Sequence, residues 1–342
     1  MADGAPDFGA APRRATAPNA ATSGARPLQI IRGSYNLRPA HRGCVATIGN
    51  FDGVHRGHRA VLVGLVRRAR ELGVPACVVT FEPLPHEYFR PAEAPARLTR
   101  LREKLGLLRE TGVDRVLLLR FDDRLAAQPP QGFIGELLVE RLGVRHLVVG
   151  DDFRFGNGRG GDFALLRSAG ASCGFGVEST RTYALDAARV SSTRIRSCLE
   201  CGDLQGAAEL LGRPYRMEGR VMPGQQLGRQ LGYRTANIAL RRRVAPLSGV
   251  FAVTASGADG VARPGMANLG TRPTVAGLRT LLEVHLFDVN LDLYGEHLCV
   301  EFLHKLRDER KFDSLEALQA ALAGDERDAR GFFASPSIPH SQ

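Results

Sequence analysis

The sequence predicts an α/β doubly wound parallel-sheet domain followed by a small antiparallel β-barrel domain with a C-terminal helix. Three observations carry that reading. Between Cys44 and about Leu211, short apolar runs alternate with stretches of helical periodicity, the pattern of strand–helix–strand units with parallel strands. Beyond Pro214 the texture shifts to short apolar runs separated by Gly, Pro and Asp-Gly signals, which suits a small antiparallel barrel. At 342 residues the chain also exceeds one ordinary core.

Taken in order, residues 1–26 are rich in Ala, Pro and Gly without apolar periodicity and read as a disordered tail. Asp3 and Asp7 argue against an organelle transit peptide. CVATIGN (44–50) is fit for a buried strand. Leu62, Leu65, Val66, Ala69 and Leu72 then recur at helical spacing, with Gly73 where a C-terminal cap belongs. ACVVTFE (76–82), a helix over about 99–111, RVLLLRF (115–121), a helix over about 131–142 and HLVVGDD (146–152) continue the alternation. The boundary between the domains falls near 205–215, placing the first at 27–210 and the second at 211–326. The runs YRMEGRVM, GVFAVTA, ARPGMANLG, LLEVHLFD and EHLCVEFL supply barrel strands. SLEALQAALAG (314–324) is the closing helix, Ser314 its N-cap with Ala317 at N3. From Gly331 the chain looks loose, and a C-terminal tail is expected over 327–342.

Composition narrows the function classes. A hydrophobic fraction of 44% with 24% charged residues is that of a globular protein, and no run approaches the ~20 apolar residues that span a bilayer. The six cysteines form no disulfide framework, which favours a reducing compartment and a cytoplasmic setting. Cys198 and Cys201 make a lone C-x-x-C without a second pair or nearby His, so zinc is not expected. A net charge of +10 favours anionic partners. The basic residues are dispersed, the Arg241–Arg243 run is short, and stacking platforms for single strands are absent. Small polyphosphate-bearing molecules are therefore expected as partners, rather than nucleic acid or a membrane.

The first candidate site is where CVATIGN runs into FDGVHRGHR and a helix. Ligands of open parallel sheets bind at the carboxyl ends of strands. Gly49, Gly53 and Gly57 let backbone N–H groups of the Gly49–Asn50–Phe51–Asp52–Gly53 loop approach a ligand, and the helix offers its N-terminus to phosphate. His55 and His58 stand three apart there, each able to donate a hydrogen bond to an oxygen gaining charge on phosphorus. A Walker A reading fails because no G-K-[ST] follows. A second element, SSTRIR (191–196), offers the hydroxyls of Ser191, Ser192 and Thr193 and the guanidinium groups of Arg194 and Arg196 at another helix start.

TIGNFDGVHRGH with SSTRIR resembles the nucleotidyltransferase superfamily that carries an H-x-G-H motif. TFEPLPHEYF (80–89), LTRLREKLGLLRETGVDRVLLLRF (98–121), VVGDDFRFGNGRGGD (148–162) and GDLQGAAELLGRPY (202–215) are similar to the bifunctional riboflavin kinase/FMN adenylyltransferase family. The likeness runs from about Ile30 to Asp325. It implies that the FMN phosphate attacks the α-phosphorus of ATP to give FAD and pyrophosphate. His55 and His58 would stabilise the α-phosphate, while Ser192, Thr193 and Arg196 would hold the outer phosphates. Phe81, Pro83, Asp152 and Phe155 would lie near the flavin, and Leu84 departs from the polar or basic residue common in relatives.

PGQQLGRQLGYRTANI (223–238) resembles the kinase motif of the same family. The resemblance implies Mg²⁺ with ATP at Thr235 and Asn237, and ATP contacts at Gly228, Arg229 and Gly232. Relatives read Pro-Thr-Ala-Asn where this chain has Arg234-Thr235-Ala236-Asn237. In LLEVHLFD, alternation sets Glu283, His285 and Phe287 opposite Leu282, Val284 and Leu286. The same resemblance makes Glu283 the general base toward the ribityl hydroxyl of riboflavin. FAD synthesis alone, with an inactive flavin-binding barrel, is the alternative.

Overall fold

The structure, a computed structural model, describes residues 27–180, 183–185, 188–223, 233–240, 242–274, 277–289 and 291–335. The expected tail at 1–26, Gly228, Arg229, Gly232 and Arg241 lie outside the described residues. The first domain is a six-stranded sheet in the order β1-β4-β3-β2-β5-β6, every neighbouring pair parallel. Its strands are β1 (Gln29–Arg32), β2 (Cys44–Ile48), β3 (Ala76–Glu82), β4 (Arg115–Arg120), β5 (Val144–Gly150) and β6 (Gly176–Thr180). All of β2 is buried, as a strand covered on both faces requires. β1 and β6 were not anticipated. They are the sheet edges, and their part-exposed sequences carry no continuous apolar run.

Helix α1 (Arg56–Glu71) buries Leu62, Leu65 and Ala69. Helix α2 is Pro85–Phe89 and α3 Leu101–Arg109. Two short helices, α4 (Asp123–Ala127) and α5 (Pro130–Gly132), precede a π-helical stretch at Phe133–Arg141. Periodicity predicted an ordinary helix over 131–142. The wider turn brings the buried Phe133, Ile134, Leu137 and Leu138 onto a narrower arc than an α-helix would. Helix α6 (Phe163–Cys173) precedes β6. After a small hairpin, β7 (Ala184–Leu185) with β8 (Ala188–Arg189), come α7 (Ser192–Cys201) and α8 (Leu204–Leu211).

The second domain is a closed six-stranded antiparallel barrel in the order β10-β13-β12-β11-β14-β9. Its strands are β9 (Tyr215–Met222), β10 (Ala236–Ala239), β11 (Gly249–Ser256), β12 (Arg263–Thr274), β13 (Gly277–Leu286) and β14 (His297–Arg307). Tyr215, Met217 and Val221 point inward with Leu282, Val284, Val300 and Phe302. They share one apolar cluster with Leu98, Ile195, Leu199, Leu204 and Leu211, so the last helices of the first domain close over the barrel core.

Ser314 caps the closing helix α9 (Leu315–Ala334), accepting the Ala317 N–H. The helix runs past the expected end at 324, so residues 327–334 of the expected tail are helical, while 336–342 lie outside the described residues. Ala329 is buried there, and Phe332 and Phe333 pack with Ala252, Met266 and Phe287. One apolar face outweighs the helix-weakening Gly331.

Candidate functional sites

The first site lies at the topological switch point. The chain winds from β2 through β3 to β4 on one side, then returns to lay β5 and β6 on the other. The carboxyl ends of β2 and β5 therefore part there, opening a crevice. A cavity of about 930 Å³ occupies it. Gly49, Asn50, Phe51, Asp52, His55, Gly57, His58, Asp152, Ser192, Thr193 and Arg196 all line this cavity, so most residues singled out in sequence meet in one place. Gly53 does not line it. Its φ of +85° and the contact an added Cβ would make with Leu98 give it a conformational role.

His55 is the N-cap of α1, and its Nδ1 accepts the His58 backbone N–H at 3.2 Å. That bond leaves the proton of the neutral ring on Nε2. The two imidazoles stack with centroids 3.6 Å apart and planes 15° from parallel, and an added Cβ at Gly57 would press on the His55 ring. Burial pushes the His55 pKa down to about 4 and holds His58 well below its ordinary value, with neighbouring His55 and Lys104 adding to the effect on His58. Both rings are therefore neutral donors near pH 7. The His58 Nδ1 is buried without a hydrogen-bond partner among the described residues.

Asp52 and Arg196 hold each other. The Asp52 carboxylate accepts the N–H groups of Leu98 and Thr99 and the Thr99 hydroxyl, and meets the Arg196 guanidinium at 2.6 Å. Arg196 also donates to the Ala96 carbonyl. Ser191 caps α7, and the Ser192 hydroxyl donates to the Asp52 carbonyl at 2.9 Å. The SSTRIR segment thus binds the histidine loop as well as facing the cavity. Asp152 pairs with Arg189 at 2.7 Å.

Three residues expected beside the flavin stand apart from this cavity. Phe155 is 7% exposed and packs against Phe133 and Phe153 in the core. Phe81 meets Phe121 edge-on, and Pro83 follows Glu82 by a cis peptide bond. Leu84 is buried at the start of α2. Lys104 escaped the sequence reading. Its ammonium, 1% exposed as a residue, donates to the Asn50 carbonyl at 3.1 Å and to Thr80 Oγ1. Burial pushes its pKa down to about 8. The available signal was a lysine set among Leu101, Leu105 and Leu108 on an apolar helix face.

The second site lies on the barrel wall. Register places Asn237 of β10 opposite Glu283 of β13, and Glu283 opposite Asn268 of β12, so the three share a face. A cavity of about 690 Å³ is lined by Tyr233, Thr235, Asn268, Glu283 and His285, with Arg307 and Asp325 at another wall. Asn237 is not among its lining residues, although it stands beside Glu283 in the row. His285 Nδ1 donates to the Arg234 carbonyl at 2.9 Å. Asn268 was missed because only strand register reveals that it neighbours Glu283.

Comparison with known proteins now settles the kinship. The chain is 54% identical to the bifunctional riboflavin kinase/FMN adenylyltransferase of Escherichia coli (strain K12), over 90% of this chain and 98% of that protein. It belongs to the bifunctional riboflavin kinase/FMN adenylyltransferase family. The Pseudomonas fluorescens relative of the same name is also 54% identical, over 91% of this chain and 99% of its own. That of Haemophilus influenzae is 48% identical, over 90% and 100%. The FAD synthetase family model matches residues 37–194 and the riboflavin kinase model 211–333. A crystal structure described as a macrolide-efflux protein from Streptococcus pneumoniae shares the fold at a TM-score of 0.75 and 29% identity, covering 89% of this chain and 98% of that one. No helix among the described residues is long and apolar enough to cross a membrane. The histidine pair falls in the FAD synthetase match and Glu283 in the riboflavin kinase match, and each of these residues lines one of the two cavities.

Proposed function

We infer that this enzyme makes FAD in two ATP-dependent steps, phosphorylating riboflavin to FMN at the barrel and adenylylating FMN at the parallel sheet. The carrying observation is that full-length kinship to bifunctional relatives coincides with two separate lined cavities, one per domain.

In adenylyl transfer, an FMN phosphate oxygen attacks the α-phosphorus of ATP and pyrophosphate leaves. Negative charge grows on the non-bridging oxygens. The His55 Nε2–H and the His58 ring donate to them from the N-terminal end of α1, where the helix dipole adds to the effect. Ser192, Thr193 and Arg196 face the outer phosphates. Because the rings start neutral, no proton need leave them. Positioning and charge stabilisation supply the catalysis.

In phosphorylation, the Glu283 carboxylate takes the proton of the ribityl hydroxyl as its oxygen attacks the γ-phosphorus and ADP leaves. The Thr235 hydroxyl and the Asn237 amide oxygen are hard, neutral donors next to Glu283, a set that suits Mg²⁺ carried in with phosphates. They would hold the ion, which when bound neutralises phosphate charge. Gly228, Arg229 and Gly232 remain assigned to ATP through the resemblance. We further propose a cytoplasmic setting, with small molecules as substrates and no nucleic acid.

The test is to incubate the protein with ATP, Mg²⁺ and either riboflavin or FMN, then resolve the flavins by chromatography. The expected result is FMN and then FAD from riboflavin, and FAD with pyrophosphate from FMN. Absence of either conversion overturns the corresponding half.

A further inference from the structure

The histidine loop is held in an uncommon backbone conformation. Phe51 and Val54 have φ of +48° and +41°, and Gly53 of +85°. For Val54, a β-branched residue, a positive φ is an outlier, and such strain persists only where surroundings impose it. The surroundings here act on the carbonyls. The Asn50 carbonyl accepts from Lys104 and Thr80. The Asp52 carbonyl accepts from Ser192. The Gly53 carbonyl accepts from Arg213 at 2.7 Å, and the Val54 carbonyl from the same guanidinium at 3.4 Å. Each of these oxygens carries partial negative charge, and Lys104, Thr80 and Arg213 bind them from outside the nucleotide cavity, whereas Ser192 is itself one of its lining residues.

Arg213 does not come from the domain it serves. It lies between α8 and β9, outside the 37–194 FAD synthetase match and inside the 211–333 riboflavin kinase match. Its approach is closely fitted. Gly212 caps α8 with φ of +75° and abuts Arg56, the first residue of α1, and Leu211 packs beside Gly53. Arg213 thus clamps the two carbonyls immediately before His55.

We propose that Arg213 is a positioning residue for adenylyl transfer, supplied from the kinase half of the chain: by gripping the Gly53 and Val54 carbonyls it fixes the strained turn that aims His55 and His58. The proposal rests on the adenylyltransferase reading above. Without the clamp, the turn relaxes and the rings shift relative to the α-phosphate, a displacement of the kind that costs about 10²-fold in rate.

The experiment measures FAD formation from FMN with varied ATP for wild type, Arg213→Met and Arg213→Lys, and riboflavin phosphorylation on the same preparations. Arg213→Met should lower the adenylyl-transfer kcat about a hundredfold, with a much smaller change in KM for ATP. Kinase activity should be unchanged, since Arg213 lines no part of the barrel cavity. Arg213→Lys, which keeps one charged donor, should recover about tenfold of the loss. Normal kcat in Arg213→Met overturns the proposal, as does equal loss of both activities or a lysine variant no better than methionine. If wild type itself forms no FAD, the adenylyltransferase reading fails instead.

Discussion

A histidine stripped of water resists protonation, and this sets the pH behaviour of the first site. With His55 at about 4 and His58 well below its usual value, burial being the leading cause in both, the rings are already neutral donors at pH 6. Adenylyl transfer should therefore show no loss of kcat attributable to these rings between pH 6 and 8. An imidazolium donor would instead fail as pH rises through its pKa, and a pH–kcat profile separates the two. Stability carries the opposite signature. Histidines of the unfolded chain titrate near 6.5, while these folded ones stay neutral, so the unfolded state binds more protons as pH falls from 7 toward 4. Folding should weaken over that window, and urea midpoints at pH 7.5 and 5 measure it; an unchanged or higher midpoint at pH 5 contradicts the assignment. His58→Ala should lower FAD formation about 10²–10³-fold while FMN still forms from riboflavin, measured by flavin chromatography. The histidine pair was legible because a Gly-rich loop between a buried strand and a helix start is a rare context for two rings. The core packing of Phe155 was not: an aromatic residue beside a glycine loop reads alike whether it faces ligand or core.

At the scale of elements, the barrel strands were legible through alternation, which marks one buried face. Alternation says nothing of which strands pair, and so the place of Asn268 beside Glu283 stayed hidden. The row Asn237–Glu283–Asn268 leads to a direct expectation: Glu283→Gln keeps the shape and removes the base, lowering riboflavin phosphorylation about 10²–10⁴-fold and leaving FMN adenylylation intact. A normal kinase rate, with chemistry limiting, would reduce Glu283 to a wall residue. The approach to β10 bears on the Arg234 departure. Arg234 is exposed and its carbonyl is the group anchored to His285. A proline retains that carbonyl while fixing its own φ, a change worth about 0.4–1 kcal/mol where the backbone is compatible. Arg234→Pro should therefore alter FMN production less than about tenfold, with FAD synthesis as the folding control. A silent wild-type kinase restored by proline would instead support the reading in which only FAD is made.

Across the whole molecule, two catalytic units share one interior. Glu103 of α3 and Arg242 of the barrel form an ion pair at 2.6 Å with side chains 3% and 2% exposed. The same carboxylate accepts the N–H groups of Arg100 and Glu218, while Arg242 also donates to the Arg97 carbonyl, and the Tyr215 hydroxyl bonds the Leu98 carbonyl. Removing one partner strands a buried charge, so Arg242→Met should destabilise the protein by about 3–5 kcal/mol in urea unfolding. A loss below about 1 kcal/mol, the scale of a surface pair, would show the contact to be incidental. None of this joint was legible in sequence, where Arg242 is one basic residue in a run of three and Glu103 one acid on an amphipathic helix. The apolar cluster that runs from Leu98 and Ile195 through Leu211 to Phe251 and Phe302 has a further meaning for inheritance. Cutting the chain between the two family segments would bare apolar surface on both halves, because the cluster draws on each. A lineage can lose one activity by point substitution far more cheaply than by deleting the domain that hosts it, because the host is also its neighbour's wall.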